Sequence, residues 1–169
     1  MTINTRTWIA AIALAFLASS AQAQQAEADN TSGWTLDPLS FAIGSFSTFA
    51  EIVDIGLKKM ALSSALPTDE MDRLEPQARA AASEWDVEIY READFVVTDL
   101  FPASATEGKE VLIIYRGNTL NEYQALKKRQ ASLLAEGKYA GEDRKAIAWD
   151  MGKLLSYPDE KIHRLLSAD

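Results

Sequence analysis

The stretch Asp86–Arg116, DVEIYREADFVVTDLFPASATEGKEVLIIYR, is where the apolar spacing of the chain changes to the period of strands. DVEIY (Asp86–Tyr90) and FVVTDLF (Phe95–Phe101) are rich in β-branched and aromatic residues, and READ (Arg91–Asp94) between them has the length of a hairpin connection. After Pro102 and a loop of small residues comes EVLIIY, Glu110–Tyr115. Three strands are expected, the first of which also reads as a prolongation of the preceding helix through Tyr90.

Both flanks of this stretch are helical in pattern. Thr48 and Glu51 have the spacing of a capping box and predict a helix start there, with Phe49, Ile52, Val53, Gly56 and Met60 on one face and Pro67 as the stop. The uncharged interval Leu39–Ala50 just before is expected to be a buried segment or a lid over a pocket. Thr68 caps a second, acidic helical region in which Asp69, Glu70 and Asp72 suit the positive end of the dipole, and Pro76 is expected to restart it ahead of the alanine-rich Ala78–Trp85. Downstream, Gly117 and Asn118 make a turn, and Thr119 with Glu122 repeats the capping-box spacing. The helix Leu120–Glu136 should bury Leu120, Tyr123, Leu126, Leu133 and Leu134, turn Lys127, Lys128 and Arg129 outward, and end at Gly137. Gly141 precedes a helix with Ile147, Met151, Leu154 and Leu155 on one face. Tyr157-Pro158 breaks it before a last helix carrying Ile162, Leu165 and Leu166.

The fold class that follows is α+β: a small antiparallel sheet of about three strands covered by helices from both flanks of the chain, in one domain over residues 34–169. A doubly wound α/β fold would need several strand–helix alternations, and only Glu110–Glu136 offers one.

The N-terminus has one charge, Arg6, then the apolar run Trp8–Ala18, then Ala21-Gln22-Ala23. This is the n-region, h-region and small-x-small pattern of a secretory signal, with cleavage expected after Ala23. As a helix the apolar run would rise about 16 Å, roughly half the hydrocarbon thickness, so a stable membrane anchor is not expected. The pattern resembles a Gram-negative periplasmic signal and implies the periplasm. Residues 24–33, QQAEADNTSG, read as a flexible linker.

The chain of 169 residues has no cysteine and a single histidine, His163. Thiol chemistry, iron–sulfur clusters, cysteine zinc sites and multi-histidine zinc are excluded, and no metal or cofactor is expected. The formal net charge is −8. Residues 24–99 hold 15 acids against 5 bases, whereas residues 100–169 hold 10 acids against 11 bases. With no basic stripe carrying interleaved aromatics, nucleic-acid binding is not expected. The acidic half reads as a solvating surface, or as a face for a basic partner.

The first candidate site is Tyr115-Arg116-Gly117-Asn118-Thr119, where a strand hands over to a helix. Free amides, a glycine and the Arg116 guanidinium suit a carboxylate or phosphate, and a plain turn and cap uses the same residues. Asp94 and Asp99 flank the expected strand FVVTDLF and are the acid/base candidates. Asp159, Glu160 and His163 share a helix face and match half of a di-metal carboxylate site whose other half is missing. Trp34, Trp85 and Trp149 could build a carbohydrate cleft or serve the core equally well. No complete catalytic constellation is present. The expectation is a non-enzymatic periplasmic protein that binds an envelope protein or a small apolar or anionic molecule. The alternatives are a small hydrolase or lyase using Arg116 with carboxylates, and an inhibitor or immunity-type protein.

Overall fold

Helix α1, Pro38–Asp54, starts where a carboxylate can cap it: the Asp37 Oδ2 accepts from the Ser40 N–H at 2.8 Å, and Pro38 supplies a preset φ in the first turn. The computed structural model describes residues 37–101 and 103–167, the side chain of Ala103 excepted. The signal, linker and Trp34 readings lie outside the described residues. The uncharged interval Leu39–Ala50 is therefore the body of a helix that starts well before Thr48. The Thr48 hydroxyl donates to the Gly44 carbonyl one turn back, so no capping box forms there.

That helix stops at Gly56, whose φ is +76°. The Gly56 N–H donates to the Val53 carbonyl at 3.0 Å and the Leu57 N–H to that of Ile52 at 3.1 Å, the paired bonds of a Schellman cap. Met60, expected on the helix, instead opens strand β1, Met60–Leu62. Helix α2, Thr68–Ala82, begins behind Pro67 without a side-chain cap and runs through Pro76 without restarting. Met71 and Leu74 before the proline and Ala78 and Ala82 after it are all buried, and this packing on both sides outweighs the lost backbone bond.

Strand β2 is Glu88–Glu92, so the Glu88–Tyr90 part of DVEIY is strand rather than helix, and READ contributes Arg91 and Glu92 to it instead of a hairpin turn. Strand β3 is Val111–Tyr115. The sheet order is β1-β3-β2, antiparallel throughout. FVVTDLF forms no strand. Both edges of β3 are already taken, and the backbone of this segment bonds to side chains instead: the Val96 N–H to the Tyr123 hydroxyl at 3.3 Å and the Val97 carbonyl from Gln130 Nε2 at 2.7 Å.

Three helices complete the described chain: α3, Thr119–Ala135; α4, Gly141–Leu154; and α5, Asp159–Leu166. A short 3₁₀ turn lies at Ala103–Ala105. Leu134, expected inward, is exposed, whereas Lys127, expected outward, is half-buried. Helix α4 ends in the same Schellman pattern as α1, with Ser156 at φ +59° where glycine is usual. The Ser156 hydroxyl accepts the Lys59 N–H at 2.8 Å, and the Lys58 ammonium caps α4 by donating to the Leu155 carbonyl at 2.7 Å. The ends of α1 and α4 are thereby tied together.

The sheet is the middle layer of three. Val111, Ile113 and Tyr115 of β3 face α3, α4 and α5, while Leu112 and Ile114 face α1 and α2. Burial on both faces is why EVLIIY is continuously apolar, and each fully buried isoleucine contributes about 1.5–3 kcal/mol of transfer free energy. Among the described residues no helix is long and apolar enough to cross a membrane.

Candidate functional site

The expected site at Tyr115–Thr119 is a turn whose polar groups are engaged within the chain. Tyr115 is buried toward α3, and its hydroxyl donates to Glu88 Oε2 at 3.2 Å; burial, followed by the hydrogen bond to Glu88 and its charge, pushes the phenol above its ordinary value. The Arg116 guanidinium donates to the Asp54 carbonyl and to the Asp86 carboxylate, joining the end of α1 to the approach to β2. Gly117 has φ +58°, which lets the chain reverse at once into α3. Asn118 occupies the N-cap position, and the Thr119 hydroxyl donates back to the Arg116 carbonyl at 2.9 Å. The expected Thr119–Glu122 box does not form; Glu122 lies 3.6 Å from the Lys59 ammonium.

Asp94 and Asp99 are held elsewhere. Asp94 is 3.2 Å from Lys127 Nζ, and both oxygens of Asp99 accept from Arg144 Nε at 2.8 Å. The three candidate groups thus have partners on four different segments, and the structure does not bring them together.

The most buried acid among the described residues is one that sequence reasoning passed over. Glu92, at 5% exposure, projects toward α3. Its Oε1 accepts from Lys127 Nζ at 3.0 Å and from the Asp94 N–H at 2.8 Å, and its Oε2 from the Tyr123 hydroxyl at 3.1 Å. Burial first, and then the Glu92 charge, push the Tyr123 phenol far above the usual range. Burial alone would lower Lys127, but hydrogen bonds to Glu92 and Asp94 outweigh it and hold the ammonium above its ordinary value. Phe95 stacks on Tyr123 with centroids 6.0 Å apart. The cluster bolts the irregular segment after β2 onto α3. The available signal was the alternation in EIYRE, which sends Glu88, Tyr90 and Glu92 to one face and Ile89 and Arg91 to the other.

Arg91 does the corresponding work on the opposite face. It pairs with Glu110, with Asp72 at 2.7 Å and with Glu75 at 3.0 Å, and the Thr68 hydroxyl donates to Glu110 at 2.7 Å. The Arg91 guanidinium, with the Thr68 hydroxyl, holds Glu110 below the usual glutamate value. Burial raises Glu75, but hydrogen bonds from Arg79 and Arg91 outweigh it and leave it low.

Two open grooves flank α4. The first, about 420 Å³, lies between α3 and α4 and is lined by Lys59, Glu122, Arg129, Asp150 and Lys153 over Leu126 and Leu154. Its Arg129 and Asp150 are paired at 2.8 Å. The second, about 410 Å³, lies between α4 and α5. One wall is Trp149, with the His163 ring against it at 4.8 Å and 59°. Ala146 and Leu166 extend the apolar surface, and Glu142, Lys145, Asp150 and Ser167 rim it. Close packing of α4 on α5 sets this geometry: a Cβ at Gly152 would lie 2.8 Å from the Ile162 side chain. Asp159, on the same helix as His163, pairs with Lys153 at 2.7 Å. Among the described residues no three His, Cys, Asp or Glu side chains gather as metal ligands. Trp85 lines a separate groove beside β2, apart from Trp149. No protein family, curated protein or solved structure matches this chain.

Proposed function

We propose that the protein is an exported, non-enzymatic binding protein whose ligand is a small, largely apolar molecule with one polar end, seated between α4 and α5. The observation that supports this is the groove itself: about 410 Å³, within the range of small-molecule sites, an indole wall against an imidazole, and a few polar side chains in its lining. Trp149, Ala146 and Leu166 would hold the apolar body, and Lys145, Asp150 and Ser167 would face the polar end. Export rests on the N-terminal pattern and is tested by sequencing the secreted product, which should begin at Gln24.

The binding test has two stages. Native mass spectrometry of protein purified from its own host should show a retained small molecule. Nuclear magnetic resonance titration with a panel of aliphatic and aromatic acids should then shift the Trp149 indole and His163 ring signals. Ala146 is exposed, so Ala146→Trp fills the groove without touching the core and should abolish both results. Signals unmoved by the whole panel, in a protein that carries no molecule, would overturn the proposal.

A further inference from the structure

Strand β2 lies at one end of the sheet order, and among the described residues nothing pairs with its outer row of backbone groups. The bond from the Ser63 N–H to the Leu112 carbonyl sets the phase of the ladder: even-numbered residues of β3 bond toward β1, so odd-numbered ones bond toward β2. In the register Glu88↔Tyr115, Tyr90↔Ile113 and Glu92↔Val111, it is Glu88, Tyr90 and Glu92 whose backbone groups are used. The N–H and C=O of Ile89 and Arg91 point away from the sheet and have no partner among the described residues.

The side chains around this edge are acidic. Glu84, Asp86, Glu88 and Asp94 are exposed, and Glu84 and Glu88 have no cation partner among the described residues. The nearby cations are already paired: Arg91 with three carboxylates, Lys127 with two, Arg79 with Glu75, which it shares with Arg91, and Arg116 with Asp86. Exposed Tyr90 adds an apolar contact beside the edge.

We infer that the β2 edge accepts an extended, basic segment of a partner protein as a fourth strand, with alternate lysine or arginine side chains meeting Glu84 and Glu88. Backbone bonds to Ile89 and Arg91 supply affinity and the acidic border supplies selectivity. A second copy of this chain is the poorer occupant. Antiparallel pairing of β2 with itself brings two copies of the exposed acidic border, Glu84, Asp86 and Glu88, together, which sets like charges against one another. The inference is independent of the α4–α5 groove.

The test uses purified protein, a synthetic heptapeptide of alternating lysine and valine, and a glutamate–valine counterpart. In the free protein the Ile89 and Arg91 amides should exchange fast and those of Tyr90 and Glu92 slowly. Adding the lysine peptide should slow Ile89 and Arg91, and the glutamate peptide should not. Ile89→Pro removes an outward N–H that the sheet does not use, so the fold should survive while peptide affinity falls about tenfold or more. Glu88→Lys should weaken binding several-fold and reduce its salt dependence. The inference is overturned if the lysine peptide does not bind at millimolar concentration, if it binds without slowing those two amides, or if the glutamate peptide binds equally well. It is also overturned if self-association already protects both amides in the free protein.

Discussion

The two faces of the sheet solve the same packing problem with different side chains. Toward α1 and α2 the core is built largely from alanine, with Ala42, Ala50, Ala61, Ala78 and Ala82 around Phe46, Met71 and Leu74. Toward α3, α4 and α5 it is built from Tyr123, Ile147, Met151, Leu154 and Ile162, with Ala148 the one alanine of that buried cluster. Small residues let helix backbones come close and leave no room to grow, while large ones fill space that truncation would empty. Each face also takes an ion-paired charge from β2, and these two residues are neighbours in sequence: Arg91 reaches three carboxylates near the surface, and Glu92 is sealed between a phenol and an ammonium.

The largest expected effect comes from removing one side chain from each face of the shared strand. Ile113→Ala and Ile114→Ala should each cost about 3–4 kcal/mol in urea denaturation, because both residues are fully buried. A small loss at only one of them would mean that the two layers do not share one cooperative core. Next is the pair of charges. Glu92→Ala leaves the buried Tyr123 phenol and the Asp94 N–H without their acceptor and Lys127 with Asp94 alone, and should cost about 3 kcal/mol; Arg91→Ala, whose partners are closer to water, should cost about half as much. Equal losses would erase the distinction drawn between the faces.

Enlargement tests the alanine face. Ala78→Leu should cost about 2 kcal/mol and lower the melting temperature. On the other face the close contact is between helices: Gly152→Ala should cost about 1 kcal/mol, and Ile162→Val should recover part of it by withdrawing the methyl group that a Cβ would strike. Failure of the double variant to recover would place the crowding elsewhere.

The smallest effects are in pH. Glu110 and Glu75 lie below their ordinary 4.5 in the folded protein, so their contribution is complete above that value and is lost as pH falls through the folded values. Lys127 lies above its ordinary 10.5 and Tyr123 above 10.0, so their contribution is complete below those values and is lost as pH rises through the folded ones. Arg91→Gln should therefore flatten the acid limb of the urea midpoint, and Glu92→Gln should make the alkaline limb shallower. A variant that changes the opposite limb would reverse the assignment of these groups to the two faces.

Helices α3, α4 and α5 and strand β3 are legible from the chain because their signals are local. Gly117, Gly137 and Tyr157-Pro158 punctuate, and apolar residues recur with the helical period between them. The capping boxes mislead, since Thr48 and Thr119 find carbonyl acceptors among their own neighbours and Asp37 has already capped α1. The candidate site is legible only in part. Trp149 and His163 each stand out in the sequence, but nothing in their spacing announces that α4 and α5 bring the two rings together.

From composition and periodicity alone follow the α+β class, a small sheet covered by helices from both flanks of the chain, and a chemistry without thiols. The three-dimensional packing settled which segments became strands. High strand propensity was not enough for the segment Phe95–Thr98, because β1 and β2 had occupied both edges of β3, and Met60–Leu62 gained strand form by filling one of them. The physical reason is range: caps and periods act over three or four residues, whereas a place beside β3 is a competition among segments far apart along the chain.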